Sequence, residues 1–336
     1  MLEKKIAVVI LNWNGATLLE QFLPSVISFS DEATIYVADN ASTDNSIQFI
    51  KDNYPTISII HNEANYGFAK GYNQALQLVE EEIYCLLNSD VEVTENWLIP
   101  IQHLFEKDNT IGIIQPKILD FKDKTKFEYA GAAGGFIDKY GFPFCRGRIF
   151  DTIEADLGQY DDEKEIFWAS GACFFIRKEI YRTLNGFDDD FFAHQEEIDL
   201  CWRAFNLGFK TKYTSNSVVY HVGGATLQEG NPKKTFLNFR NSLFMLTKNL
   251  PENKLIAILF YRLSMDGIAG IQFLVKGQWK HFLAILKAHF YFYKMINKNL
   301  RKRKPNNSQD YYYLKSIVFC YFLKNTKLFT KINNSL

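Results

Sequence analysis

The chain has no evident disulfide or zinc framework. Its five cysteines, Cys85, Cys145, Cys173, Cys201 and Cys320, are scattered, with no CxxC pair and no zinc-like spacing. Four of them sit in apolar runs, which reads as buried free thiols in a reducing compartment. The first strand-to-helix turn lacks GxGxxG, which argues against a classical dinucleotide fold, and a P-loop is absent too. No stretch of about 18 or more uninterrupted apolar residues exists, so no transmembrane helix is expected. The closest run, Leu255 to Val275, is broken by Arg262 and Asp266. The N-terminal apolar run stops at Asn12, too short for a signal-peptide core and cleavage site. A cytoplasmic location is the resulting expectation.

Net charge is also missing, but only in total. Lysine plus arginine equals aspartate plus glutamate at 38 each. From Pro251 to Leu336 there are 15 basic and three acidic residues, a net of +12, so the remainder carries −12. Such asymmetry suggests a basic tail that meets something anionic. The acidic globular part, with no recognised RNA or DNA motif, excludes nucleic acid as a partner.

What is present is a repeated strand-and-helix pattern. Ile6 to Leu11 is a continuous apolar run, as in a strand buried on both faces. It ends at Asn12-Trp13-Asn14-Gly15, and a helix pattern follows with Leu18, Leu19, Phe22, Leu23 and Val26. Thr34 to Ala38 is a second strand, ending in Asp39, and Ile57 to Ile60 a third. Asn65 to Gly71 is a glycine-containing loop that opens a helix. The fourth strand runs into Asn88-Ser89-Asp90. Four such alternations predict a mostly parallel sheet with right-handed crossovers, an α/β fold. A carboxylate at the C-terminal end of a buried strand stands where such sheets bind ligands. Asp90 is therefore a candidate for a hard divalent cation, although Asn, Ser and Asp also suit a plain turn.

Further along, Ile111 to Leu119 reads as a strand. Asp120 to Glu165 reads as loops and short strands over one face of the sheet. Ile166 to Ile176 reads as one strand interrupted by small residues, which let a ligand or backbone come close. Glu196 and Glu197 open a short helix whose apolar stripe is Ile198, Cys201, Trp202 and Phe205. A helix is expected from about Lys233 to Asn249, with aromatic, basic amphipathic helices after Pro251. Two units are expected, 1–250 and 251–336.

Taken in order, Val9-Ile10-Leu11-Asn12-Trp13-Asn14-Gly15, Asp39-Asn40-Ala41-Ser42-Thr43-Asp44, Asn65-Tyr66-Gly67-Phe68-Ala69, Asn88-Ser89-Asp90, Glu196-Glu197-Ile198-Asp199-Leu200-Cys201-Trp202-Arg203 and His221 resemble family-2 glycosyltransferases. The resemblance covers roughly residues 4–250 and is nearest to the rhamnosyltransferase-like branch of bacterial surface polysaccharide synthesis. Each motif is weak alone; six in order are specific. The resemblance implies a GT-A fold, a Rossmann-like nucleotide-diphospho-sugar transferase, with a C-terminal helical extension.

It also implies roles. Asp90 matches the last acid of the family's DxD motif, written here Asn-Ser-Asp, and would hold Mg2+ or Mn2+ on the donor diphosphate. With Asn88 in place of the first acid, metal affinity without nucleotide should be low. His221 matches a histidine that completes the metal sphere in related enzymes, or is a satisfied strand histidine. Asp39 matches the carboxylate that accepts a hydrogen bond from N3–H of uracil or thymine, a proton that cytosine lacks. The bland alternative for Asp39 is a helix N-cap. Asn12, Asn14, Gly15 and Ser89 would line the nucleotide pocket, Lys70 and Gly71 would approach the diphosphate, and Gly171 with Ala172 would floor the sugar site. Glu197 stands where the family has its catalytic base, with Glu196 the fallback; the alternative is two solvated acids at a helix start.

The implied reaction is inverting transfer from a UDP- or dTDP-sugar to a saccharide acceptor, often lipid-linked. A sugar-1-phosphate nucleotidylyltransferase and a non-catalytic sugar-nucleotide-binding subunit are the alternatives. The aromatic and basic tail suits the headgroup region of an anionic membrane, hence a peripheral association, or else an ordinary helical subdomain or homodimer interface.

Overall fold

The structure is a computed structural model that describes residues 4–223, 230–304 and 311–332. Its first part alternates β1 (Ile6–Asn12), α1 (Ala16–Ser28), β2 (Ala33–Asp39), α2 (Ser46–Asn53), β3 (Ser58–His61), α3 (Gly67–Ala75) and β4 (Ile83–Asn88). Then come β5 (Val91–Val93), α4 (Ile99–Lys107) and β6 (Ile111–Asp120). Four short strands, β7 (Gly135–Ile137), β8 (Pro143–Cys145), β9 (Arg148–Ile149) and β10 (Thr152–Ile153), form a separate antiparallel sheet. β11 (Glu163–Ile166), β12 (Cys173–Arg177), α5 (Lys178–Thr183), α6 (Glu196–Asn206) and β13 (Lys210–His221) return to the main sheet. The C-terminal region is helical: α7 (Pro232–Asn249), α8 (Glu252–Val275), α9 (Trp279–Arg301) and the short α10 (Ile317–Phe322).

The main sheet has nine strands in the order β11-β13-β6-β12-β4-β1-β2-β3, with β5 beside β13. β1 pairs in parallel with β2 on one side and β4 on the other, and β3 extends the sheet past β2. β12 runs antiparallel between β4 and β6, so the sheet is mixed. The apolar run of β1 explains its central place. Ala7 and Val9 enter one core layer with Tyr72, Tyr84 and Leu86, while Ile6, Val8 and Ile10 enter the opposite layer with Leu19, Leu23 and Ile101. A strand covered on both faces has no use for alternating polar residues.

Strand order reverses at β1, because the chain steps outward to β2 and β3 and then returns to place β4 on the other side. The C-terminal ends of β1, β2 and β4 therefore open onto one crevice. Register aligns Asn12 with Asp39 and Leu11 with Asn88, so the strand-end polar residues are neighbours by construction.

The expected single strand over 166–176 is two strands. β11 stops at Ile166, and β12 starts at Cys173 on a different neighbour. Between them Phe167 to Ala172 leaves the ladder. Here Trp168 donates to Phe136 O and Ser170 N–H donates to Gln115 Oε1. An apolar run alone cannot separate one strand from two when the linker is itself buried. The C-terminal helices share the larger core layer through Ile258, Phe292, Leu314 and Ile317.

Candidate functional site

At the end of β1, the buried Asn12 amide donates to Asp39 Oδ1 and Ser42 Oγ, both at 3.1 Å. Its own Oδ1 is shut off from solvent and has no hydrogen-bond partner among the described residues. Asp39, at the end of β2, also accepts from Ser42 N–H at 3.0 Å and from the Ser42 hydroxyl. This is an Asx-type turn. Asp39 is not the cap of the next helix, since α2 begins seven residues later, behind Asn45. Asn14, left-handed at φ 50, accepts from Thr43 N–H at 2.7 Å, and its own N–H donates to Ser42 Oγ. Gly15 packs so tightly that a Cβ there would stand 2.5 Å from Asn12 Oδ1 and 3.8 Å from Ser89 Oγ. Asn12, Asn14, Gly15, Asp39 and Ser89 are thus gathered at one point.

Lys70 and Gly71 are placed differently. A Cβ on buried Gly71 would strike the Asn40 amide at 2.8 Å, and Asn40 and Asn62 tie that segment down through Gly67 O and Gly71 O. Packing accounts for Gly71. Lys70 Nζ lies 4.0 Å from the Tyr66 ring centroid.

On the other side of β1, the turn after β4 holds the second group. The side chains of Asp90 and His221 are each 7% exposed, with His221 Nε2 3.2 Å from Asp90 Oδ1. Asn88 Nδ2 is 3.4 Å from the same Nε2. A residue that sequence reasoning missed completes the row: Glu128 Oε1 lies 3.3 Å from His221 Nδ1. These are close ion pairs, not aligned hydrogen bonds, because Nδ1 meets no hydrogen-bond geometry. Burial opposes charge on the imidazole, but Glu128 and Asp90 outweigh it and push the pKa up to about 10. Glu128 sits in the irregular stretch between β6 and β7, where no periodicity marks it.

Asp90 offers a carboxylate to a divalent cation, and His221 joins it only by giving up the proton that Glu128 and Asp90 favour, so the pair fits such an ion in part. Among the described residues no group of three His, Cys, Asp or Glu side chains is arranged to hold a metal by itself. Two protein ligands leave the other positions of an octahedral Mg2+ or Mn2+ to phosphate and water, which is how such ions commonly sit on nucleotides.

The third group is α6. Ala172 O accepts from Asn88 N–H at 2.9 Å, which brings the Ser170-Gly171-Ala172 turn against the end of β4. A Cβ on Gly171 would be 3.4 Å from Phe68 and 3.9 Å from the Glu197 carboxyl carbon. Glu196 is buried, and Glu197 is half-buried with its Oε2 closed off. Neither Oε2 has a hydrogen-bond partner among the described residues. Burial pushes the Glu197 carboxyl up to about 7, and burial together with the Glu197 charge raises Glu196 well above the ordinary range. Two solvated caps would show neither effect.

The approach to α6 is strained. Phe192, His194 and Gln195 all have positive φ, between 66° and 72°, a conformation that costs of order 1–3 kcal/mol per residue outside glycine. α7 holds this segment in place. Asn241 Nδ2 lies within 3.1 Å of Phe191 O, Ala193 O and His194 O, and Arg240 donates to Asp190 O and Phe191 O. Beneath it, Lys248 donates to Asp188 at 2.6 Å and to Asp199 at 2.9 Å, while Lys302 from the end of α9 reaches Asp188 and Asp190. The Asp199–Arg203 pair expected on the helix is present at 2.8 Å. A surface hollow lined by Ile99, His103, Lys107, Glu163 and Asn216 contains none of the residues above.

Comparison with known proteins bears on family and fold. N-acetylglucosaminyl-diphospho-decaprenol L-rhamnosyltransferase of Mycobacterium tuberculosis is 24% identical over 231 residues, covering 64% of this chain and 75% of that protein. Among solved structures, S. aureus TarS 1-349 in complex with UDP-GlcNAc superposes with TM-score 0.58 at 14% identity, over 89% of this chain and 84% of that one. The mannosyltransferase PcManGT from Pyrobaculum calidifontis, in complex with GDP-Man and Mn2+, gives TM-score 0.52 at 13% identity, over 86% and 87%. These likenesses establish a GT-A-like fold. The sequence profile described as Glycosyl transferase family 2 matches residues 7–184, more than half of the chain, and the protein belongs to that family of glycosyltransferases.

Proposed function

We propose that the protein transfers a sugar, with inversion, from a UDP- or dTDP-sugar to a lipid-linked saccharide acceptor during assembly of a surface glycan. The observation that carries this reading is the contiguity of three groups along one sheet edge. Asp39 and Asn12 sit at one end, Asp90 and His221 in the middle, and Glu197 beside Gly171 at the other. The lipid-linked acceptor is supported by the printed name of the mycobacterial relative, a diphospho-decaprenol rhamnosyltransferase. The reading assigns catalysis to residues 1–250.

Each group has a chemical task. Asp39, fixed by Asn12 and Ser42, retains lone pairs to accept from the base N3–H, and the unpartnered Asn12 Oδ1 offers a second acceptor. Asp90 and His221 would hold a divalent cation that neutralises the charge developing on the departing nucleoside diphosphate. Glu128, 3.3 Å from Nδ1, pairs with the His221 ring on its other side. Glu197 takes the proton of the acceptor hydroxyl as that oxygen bonds to the anomeric carbon and the carbon–oxygen bond to the diphosphate breaks. A carboxyl near pH 7 is well matched to that transfer. Attack opposite the leaving group in one displacement inverts the anomeric centre.

The nucleotidylyltransferase alternative is displaced by the family match. A binding-only subunit would have no need for two adjacent enclosed carboxylates that each keep one oxygen without a partner among the described residues. The test is a donor panel. UDP-, dTDP- and GDP-sugars are incubated with the protein and Mn2+ or Mg2+, reading released nucleotide and thermal shift. Stabilisation by uridine or thymidine nucleotides is expected. Stabilisation by GDP-sugars alone would overturn the donor assignment.

A further inference from the structure

α8 has its charges on the inside and its apolar side chains on the outside. The residues it buries form an i, i+4 stripe of Ile258, Arg262, Asp266 and Gly270. Arg262 donates to Asp266 at 3.0 Å and to Gly141 O in the β7–β8 turn at 3.2 Å, and lies 4.0 Å from the Phe142 ring centroid. His289 of α9 meets the other Asp266 oxygen at 3.3 Å. The opposite side of α8 presents Ile256 and Val275, each 83% exposed, Phe260 at 74%, Ile271 at 60% and Ile268 at 59%. Between Lys254 and Lys276 that side carries no charge, because Arg262 and Asp266 are the only charged residues in the interval and both are buried. A helix facing water has the reverse pattern.

The hairpin partner continues the surface. α9 exposes Leu283, Leu286, Phe290 and Tyr293, as well as its first residue, Trp279. Gly270 lets Phe282 come within 3.2 Å of where its Cβ would be, which locks the two helices together as one surface. Charge identifies what this surface meets. From Asn253 to Arg301 the only acid is Asp266, and it is buried, whereas Lys276, Lys280, Lys287 and Lys294 border the apolar side chains. An apolar field rimmed by lysines, with an aromatic ring at its tip, complements an anionic lipid surface.

We infer that the outer face of the α8–α9 hairpin is a lipid-docking surface that enters an anionic bilayer in the plane of the interface. It is not a span. By length and composition α8, at 24 residues, is long and apolar enough to cross, but mid-helix Arg262 is fastened to the globular part at Gly141. The attachment also differs in kind from an electrostatic one. Lys298, Lys302 and Arg303 of the basic run are engaged by the protein itself: Lys298 and Lys302 bind Asp188 and Asp190, and Arg303 donates to Thr247 O and Leu250 O. Docking therefore rests on buried apolar side chains and survives salt. It rests on the lipid-linked acceptor reading for its purpose alone.

The experiment is vesicle flotation of the full chain with phosphatidylglycerol-containing liposomes, at 0.1 and 1 M NaCl, without sugar nucleotide or acceptor, so its outcome does not depend on glycosyl transfer. Most of the protein should float, and most of that should remain bound at 1 M salt. The double variant Phe260→Glu/Ile271→Glu should bind about tenfold less or weaker still, with unchanged circular dichroism, since both side chains point outward. Failure of the wild type to float, or its complete release by salt, would overturn the inference. So would a double variant that floats like the wild type. If instead the wild type is a dimer in gel filtration and the double variant a monomer, with neither floating, the face is an interface between two copies and the lipid assignment is wrong.

Discussion

Asp188 and Asp199 are buried carboxylates whose partners are all present, whereas Glu196 and Glu197, on the same stretch of chain, are enclosed carboxylates that each keep one oxygen unpartnered. The first pair is surrounded by Lys248, Lys302, Arg203 and Asn249. Burial would raise Asp188, but Lys248 and Lys302 overcome that and hold it well below the ordinary carboxylate range. Among the described residues no cation does the same for Glu197, and burial takes it to about 7. All four are carboxylates wholly or partly closed off from water. Satisfaction of partners is what separates those that hold the fold from those proposed to meet a substrate.

The comparison is broken most severely by removing the cation. Lys248→Met removes the cation that Asp188 and Asp199 share, leaving Lys302 on the one and Arg203 with Asn249 on the other, and such a loss costs about 1–3 kcal/mol. Denaturant unfolding should show that loss, and a change below about 1 kcal/mol would mean the cluster is not holding the segment. At the crevice, Asp90→Ala should lower transfer by about two to three orders of magnitude while leaving the unfolding midpoint nearly unchanged. Chelator should abolish wild-type transfer, and full activity in excess chelator would remove the metal from the account. Asp39→Ala should weaken nucleotide binding by about 1–3 kcal/mol, read by calorimetry. If binding is unaffected, Asp39 serves only its turn with Ser42.

The smallest effect is in pH. Glu197 acts as the carboxylate, so the rate should rise with pH through about 7 and fall below it. Glu196 is coupled to it, so that limb belongs to the pair. Stability should move the opposite way. The folded chain keeps a proton that the unfolded chain releases near about 4.3, so this stabilisation is complete below that value and is lost as pH rises through about 7. For Asp188 the sign reverses: its contribution is present above the unfolded value and disappears in acid. A rate that stays flat from pH 5 to 9 would exclude Glu197 as the titrating base.

Much of the crevice was legible because it is local. The apolar run of β1 and the abrupt polar ends at Asn12, Asp39 and Asn88-Ser89-Asp90 announce a strand order and its ligand-binding edge before any contact is known. Glu196 and Glu197 were legible from their place at a helix start. What was not legible is long-range. Glu128 meets His221 from an irregular loop. Lys248 and Lys302 reach Asp188 from two different helices, and spacing along the chain does not show that. The basic run after Lys298 reads as a magnet for an external anion, yet Lys298 and Lys302 bind the chain's own acidic segment. The inverted polarity of α8 was hidden as well, because Arg262 and Asp266 look like interruptions of an apolar helix until they are seen to face inward.

The most direct test of the distinction between the two kinds of carboxylate is Glu197→Gln, measured for single-turnover transfer, donor affinity and thermal unfolding on the same preparation at pH 8. The account predicts a rate lower by about two to four orders of magnitude, unchanged donor affinity, and a Tm equal to or above that of the wild type, because an enclosed acid has been replaced by a neutral amide. A variant that transfers at the wild-type rate, or one that loses activity only because it unfolds, would contradict it.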